Sequence, residues 1–393
     1  MKARLRPRRG RAADDDGPMS ALAPETAVAT PLDVVTKLHV EITTRCNLDC
    51  SMCQRHVWDE PAADMSAETF HAVVRGLADL PGERTLQLSG FGEPLSHPEI
   101  VDFVRLAVEA GLATEIVTNG ALLSRELGTA LIGAGLRKLI LSVGCGDDIV
   151  EQSAVNLRRL HRSALGTDGR WPEVALHAVL KRSNVRALRK LRSLAMVLHA
   201  STISVSHLLP HSREMAAEAL YGARLPAAGT GPEAKGNPWR PHVMLPALEW
   251  SGEEARAVGA LLAGQPEITL GRTRVDMGYS ACPFIMEGRA AIDWRGNLAP
   301  CLPLLRTHPV VTPRRSRVVR QWHVGNVGES SLHDLWGRPD YVAFRERVRE
   351  FAFPPCPNCG DCELVVTNEA DCYGNPFPTC GDCLYARGLV RCP

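Results

Sequence analysis

From about residue 36 onward, short apolar runs alternate with amphipathic stretches, and this alternation restricts the fold more than any other property of the chain. Strand-like runs lie at 37–43, 85–89, 114–118, 137–143, 174–180 and 202–208. Between them the apolar period changes from that of a strand to that of a helix. In 67–80, Phe70, Val73, Val74 and Leu77 fall on one helical face, with Ser66 placed to cap it. In 124–134, Ser124 is the capping residue, Leu127, Ala130 and Leu131 form the face, and Gly135 suits the position after the C-terminus. In 185–199, Asn184 is the candidate cap and Leu188, Leu191, Ala195 and Leu198 the face. Six strands alternating with helices predict an α/β fold with a parallel sheet and right-handed crossovers. The periodicity suits both an open sheet and a partial barrel.

The remaining bulk properties bound the organisation. A chain of 393 residues, 45% hydrophobic, has room for one large domain and one small one. Residues 1–33 read as a disordered tail, rich in Arg and then Asp and without the apolar segment of a signal peptide. The core domain is expected at 34–222. Residues 223–280 read as a linker or lid holding one helix at 249–264, and 281–393 as a small cysteine-rich domain. Lys and Arg (45) nearly balance Asp and Glu (44), so no global field points to nucleic acid or an anionic membrane. No apolar run approaches the roughly 20 residues that span a bilayer, and a cytoplasmic location is expected. Nine of the 13 cysteines follow position 280. Clustered thiols in a chain without an export signal point to metal ligation rather than disulfides.

The first constellation is Cys46, Cys50 and Cys53, in EITTRCNLDCSMCQR. It follows the first strand, at the sheet end where parallel α/β folds build their sites. Three thiolates bind three irons of a 4Fe–4S cube and leave the fourth iron open to chelate a small molecule, whereas electron-transfer cubes take four. Zinc is the competing reading, with His56 available as a further ligand. After the second strand, SGFGEPLSHP offers Gly90 and Gly92 for close backbone approach and Glu93 as an acceptor for an ammonium group.

These segments resemble the radical SAM superfamily, and the resemblance spans roughly residues 35–393. It implies a partial (β/α)6 TIM-like barrel. In it the cluster held by Cys46, Cys50 and Cys53 binds S-adenosylmethionine and cleaves it by one electron to a 5′-deoxyadenosyl radical. Gly90, Gly92 and Glu93 resemble the family's G-G-E motif for the methionyl amine, with Phe91 as a departure. Met52 resembles the residue that meets adenine. Asn119, in TNG, and Ser142 match positions near the cofactor, although the acid usual after Ser142 is missing. Cys145 lies close by, as a small buried residue or a functional thiol.

The later cysteines extend the resemblance. Cys282, Gly296 and Cys301 have the spacing that opens a SPASM domain, and a hairpin at Trp294–Gly296 would bring the two thiols together. Cys356, Cys359, Cys362, Cys372, Cys380, Cys383 and Cys392 follow. The resemblance implies one or two auxiliary 4Fe–4S clusters drawn from Cys282, Cys301, Cys356, Cys359, Cys362, Cys372, Cys380 and Cys383. The order of the later cysteines departs from the usual one and leaves their partition open. RHVWDEPAADM, GFGEPLSHP, ACPFIMEGRAAIDWRGNLAPCLPLL and the ending NEADCYGNPFPTCGDCLYARGLVRCP resemble one subfamily more than the rest, that of maturases associated with tungsten-cofactor oxidoreductases. It implies modification of a tungstopterin cofactor or its host oxidoreductase, with ferredoxin or flavodoxin as electron donor. The alternatives are a peptide- or protein-modifying enzyme and a non-catalytic zinc protein. Arg306, Arg314, Arg315, Arg317 and Arg320 read as a solvated basic loop, or as a surface for an acidic partner or cofactor phosphates.

Overall fold

The computed structural model describes residues 34–143, 154–158, 171–221, 267–269, 282–312, 315–354, 356 and 362–392. The expected tail at 1–33, the expected helix at 249–264, and Cys145, Arg314 and Cys359 lie outside them.

All six expected strands form: β1 (Lys37–Val40), β2 (Thr85–Leu88), β3 (Ala113–Thr118), β4 (Lys138–Val143), β5 (Glu173–Leu180) and β6 (Thr202–His207). They pair in parallel and in chain order. Strand order equal to chain order decides between the two candidate sheets. Right-handed crossovers that never reverse direction put every helix on one face, and the other face curls into an interior. The structure is therefore the partial-barrel solution.

The helices form where their caps predict. In α1 (Ala67–Ala78) the Ser66 side chain accepts from the Thr69 N–H, and Phe70, Val73, Val74 and Leu77 are buried. Phe70 stacks on Phe103 of α2 (Ile100–Glu109), with centroids 4.0 Å apart. In α3 (Arg125–Gly133) Ser124 caps Leu127, and Gly135 follows at φ 91°. The buried residues of that helix are Gly128 and Leu131, whereas Ala130 is exposed. Asn184 does not cap the helix that becomes α4 (Leu188–Leu198). Its Oδ1 accepts from the Lys181 N–H at 2.7 Å, and its Nδ2 donates to the Val179 carbonyl at 2.8 Å. It latches the end of β5, and a 3-10 turn at Val185–Ala187 starts the helix instead.

The C-terminal part continues the same sheet. After the short α5 (Arg213–Glu218), β7 (Glu267–Thr269) extends the β6 edge. Following α6 (Pro283–Met286), β8 (Arg289–Ile292) lies parallel to β1, and β9 (Asn297–Ala299) returns antiparallel. β10 (His308–Val311) and β11 (Ser316–Val319) make a separate hairpin. β12 (Gly325–Asn326) closes the far edge beyond β9, and α7 (Leu332–Trp336) and α8 (Pro339–Glu350) follow. One buried apolar cluster runs from Val35 through Leu88, Leu176 and Ile292 to Phe353, so barrel and C-terminal domain share a core.

Candidate active site

The triad loop leaves the C-terminal end of β1. The Glu41 N–H bonds the Ile292 carbonyl at 2.9 Å, and Thr43 pairs with Asp64, which fixes the take-off of the chain. Cys46, Cys50 and Cys53 are all half-buried. Arg55 faces the three together. Its Nε–H donates to Cys53 Sγ at 3.4 Å, and its Nη2 donates to the Leu48 carbonyl at 2.6 Å. Burial works against the Arg55 charge, and the thiols of Cys53, Cys46 and Cys50 outweigh it. Cys46 also receives the Leu48 N–H at 3.4 Å. Burial pushes its thiol up, against that bond and Arg55, so the loop has thiolate-stabilising donors in place.

The donor set suits a cube better than a single ion. His56, the spare zinc ligand, turns its Nε2 to the Cys50 carbonyl at 3.0 Å. Three thiolates with a fourth position left open match the protein side of a cube that binds a small molecule.

The Gly90–Glu93 loop lies against the same strand end. Gly90 has φ 127°, and a Cβ on it would stand 2.7 Å from Cβ and Cγ of Glu41. A Cβ on Gly92 would stand 2.0 Å from the Thr43 carbonyl oxygen. Glu93 is 3% exposed and already engaged. Its Oε1 accepts from Thr118 Oγ1 at 2.6 Å and from the Leu95 N–H at 3.0 Å, and Oε2 accepts from the Asn119 N–H at 2.8 Å. Burial pushes its carboxyl up, and these three bonds oppose it. Oε2 keeps acceptor capacity for a further donor.

Asn119 joins this loop to the triad, because its Nδ2 donates to Asn47 Oδ1 at 3.0 Å and stands 4.0 Å from Cys46 Sγ. The structure thus brings Cys46, Glu93 and Asn119 into one network. Met52 is half-buried between the second and third cysteines. Ser142 is half-buried near the end of β4, in register with His177 of β5. The sequence reading missed Asn47, Arg55 and Glu41. Only Glu41 left a signal, as a charge inside an apolar strand run.

The later thiols fall into two neighbourhoods. Burial pushes Cys282 up to about 12, with Cys383 beside it. Burial lifts Cys301 well above the usual thiol range, reinforced by Cys282, Cys383 and Cys380. Cys380 behaves alike, and half-buried Cys392 also feels Cys282 and Cys383. The hairpin at Gly296 (φ 87°) is the device that brings Cys282 to Cys301. Cys356, Cys362 and Cys372 instead line a shallow, open pocket with Arg317, Asp371 and Asp382. The neighbourhoods adjoin at Gly381, where a Cβ would stand 3.0 Å from Cys356 Sγ.

Of the described arginines of the basic loop, Arg320 alone is exposed. Arg306 is 4% exposed and pairs with Glu41 and Glu60. Arg317 pairs with Asp382 at 3.2 Å, and Arg315 donates to the Cys356 carbonyl at 3.0 Å. Arg320 is half-exposed. Among the described residues, no helix is long and apolar enough to cross a membrane.

Residues 40–192 match the radical SAM superfamily, and residues 282–363 match the SPASM iron–sulfur cluster-binding domain. Over 371 residues the chain is 29% identical to the tungsten-containing aldehyde ferredoxin oxidoreductase cofactor-modifying protein of Pyrococcus furiosus, covering 91% of this chain and 96% of that one. Over 188 residues it is 29% identical to the PqqA peptide cyclase of Rhodopseudomonas palustris, covering 46% of this chain and 49% of the cyclase. SuiB of Streptococcus suis, solved with its precursor peptide SuiA, shares the fold at 14% identity and a TM-score of 0.56, covering 87% of this chain and 72% of that one.

Proposed function

We propose, for a chain that belongs to the radical SAM superfamily and ends in a SPASM domain, that it is the maturase of a tungstopterin cofactor or of the oxidoreductase that carries it. The observation that carries this reading is similarity along nearly the whole of both chains to the Pyrococcus cofactor-modifying protein, where the peptide cyclases match only about half. The domain limits go with it: a radical SAM core at 34–222, a linker at 223–280 and a SPASM domain at 281–393.

Cys46, Cys50 and Cys53 would hold the cluster, and Gly90, Gly92, Glu93, Asn119, Met52 and Ser142 would surround S-adenosylmethionine. Bound there, the two supply one-electron cleavage of a sulfonium and hydrogen abstraction from a substrate. The chain's own part is to bind and orient. Arg55 screens the three thiolates from one another. Glu93, fixed by Thr118 and Asn119, offers Oε2 to the methionyl ammonium. Asn119 sets the distance between that carboxylate and Cys46. Cys282, Cys301, Cys380 and Cys383 would form one auxiliary site with Cys392 beside it, and Cys356, Cys359, Cys362 and Cys372 the other. A ferredoxin or flavodoxin would supply electrons.

Anaerobic reconstitution tests the reading. The expected result is about 12 irons per chain, from three cubes, with 5′-deoxyadenosine released under strong reductant and lost in Cys50→Ala. Zinc without visible absorption, or a Cys50→Ala variant that still releases the nucleoside, overturns it. The second reading, peptide modification, draws on the resemblance to the cyclases over the barrel half. Nucleoside release stimulated by a ribosomal peptide, and not by a tungstopterin oxidoreductase, selects it.

A further inference from the structure

Glu41 is a carboxylate with no exposed surface, at the end of the first strand and one layer behind the cofactor loop. It makes two contacts of different kind. Its Oε2 accepts the Phe91 N–H at 2.9 Å, which pins the loop between Gly90 and Gly92. Its Oε1 accepts from Nη2 of Arg306, a residue from the C-terminal domain 265 positions later. Arg306 also donates through Nε to Glu60 Oε2 at 2.9 Å. Its guanidinium lies 4.4 Å from the Trp58 ring centroid, and Trp58 stands edge-on to Phe91 at 4.6 Å. Glu60 is held from its other side by Arg295 Nη1 at 3.1 Å.

One guanidinium therefore grips the loop twice, through the Glu41 bond to the Phe91 backbone and through Trp58 against the Phe91 ring. A buried pair of this kind contributes little net stability, because desolvation offsets much of the attraction. What it does supply is a fixed direction, since the planar fork holds both carboxylates in one geometry that a lysine cannot reproduce. Gly90 completes the arrangement: with Glu41 carbons where a Cβ would be, the loop can lie against Glu41 only without a side chain there.

We propose that Arg306 is a positioning residue of the S-adenosylmethionine site, holding Glu41 and Glu60 from the C-terminal domain and thereby setting the backbone of the Gly90–Glu93 loop. This rests on the reading of that loop as the receiver of the methionyl end.

The test uses the reconstituted full chain with three proteins: wild type, Arg306→Lys and the neutral double variant E41Q/R306M. Iron content, KM for S-adenosylmethionine and kcat for 5′-deoxyadenosine release are measured. So is the change that S-adenosylmethionine makes in the electron paramagnetic resonance spectrum of the reduced cluster. Arg306→Lys is expected to keep its iron and raise KM on the order of tenfold or more, with the loss falling on KM rather than kcat. The spectral change should need correspondingly more S-adenosylmethionine. The double variant buries no charge and should recover wild-type thermal stability while keeping the raised KM. If either variant, at full iron content, shows wild-type KM and a wild-type spectral titration, Arg306 is only structural and the proposal is wrong. If Arg306→Lys loses iron, the double variant decides alone. A wild-type protein that responds to no S-adenosylmethionine sinks the underlying reading instead, and the two failures are told apart.

Discussion

Gly90 and Gly92 are glycines for different reasons. Gly90 sits at φ 127°, where a side chain is strained whatever the space. Gly92 has no positive φ, but the Thr43 carbonyl occupies the place of its Cβ at 2.0 Å. Backbone cannot swing aside as a flexible side chain can. Gly92→Ala should therefore cost about 2–4 kcal/mol and abolish release of 5′-deoxyadenosine; denaturant titration and product assay check both, and a variant normal in each shows the close approach is dispensable. The sequence showed that a backbone comes close here but not whose, because Thr43 arrives from the preceding strand end. Glu41 shows the same limit more sharply. Its place in an apolar run marks a charge that must find a partner. That partner, Arg306, lies 265 residues away and read locally as part of a solvated basic loop. Local pattern shows that a buried charge needs pairing; only the fold says with what.

At the scale of elements, legibility followed locality. Ser66 and Ser124 were readable as caps because a cap acts within three residues, on its own helix. Asn184 has the same chemistry, but a local competitor won: its amide bonds backward to Lys181 and Val179 rather than forward into a helix. Face assignment in α3 slipped because its periodicity is short, and Gly128 rather than Ala130 turned inward. Strand burial has a consequence for acid stability. His177 on β5, His207 on β6 and His308 on β10 are each lowered to about 4, and His39 on β1 is lowered well below its ordinary value, burial being the first cause in all four. All four stay neutral in the folded chain down to about pH 4, while the unfolded chain takes up their protons below about 6.5. The unfolded state thus binds more protons, and stability present above pH 6.5 is lost as pH falls toward 4. Near pH 6 the loss is roughly 1 kcal/mol per histidine per pH unit. Denaturant midpoints between pH 7.5 and 5.5 should fall accordingly, and His207→Asn should flatten the slope by about a quarter at most; an unchanged slope in that variant would show His207 is not among the titrating groups.

For the whole molecule, the decisive feature is that the cysteine-rich part is not an appendage. β8 adds to the free edge of β1 in parallel register, Lys37 opposite Arg289 through Val40 opposite Ile292, and one apolar core runs through both parts. The triad strand is thus flanked on one side by the strand that leads into the Gly90–Glu93 loop and on the other by the hairpin that carries Cys282 to Cys301. The sequence announced the thiols and their class but not their grouping, since spacing along a chain does not reveal which hairpins and turns fold back. Cys282, Cys301, Cys380 and Cys383 lie within electrostatic reach of one another, while Cys356, Cys362 and Cys372 line an adjoining pocket. Iron counts in paired variants test that grouping without reference to turnover. Each single change, Cys301→Ala or Cys356→Ala, should remove about four irons from a full complement of about 12. Two changes in one neighbourhood, Cys301→Ala with Cys380→Ala, empty the same cube and should remove no more than one change does. Two changes across neighbourhoods, Cys301→Ala with Cys356→Ala, should remove about eight. A loss of eight from the first pair, or of only four from the second, would mean that the ligands cross between the neighbourhoods despite their positions.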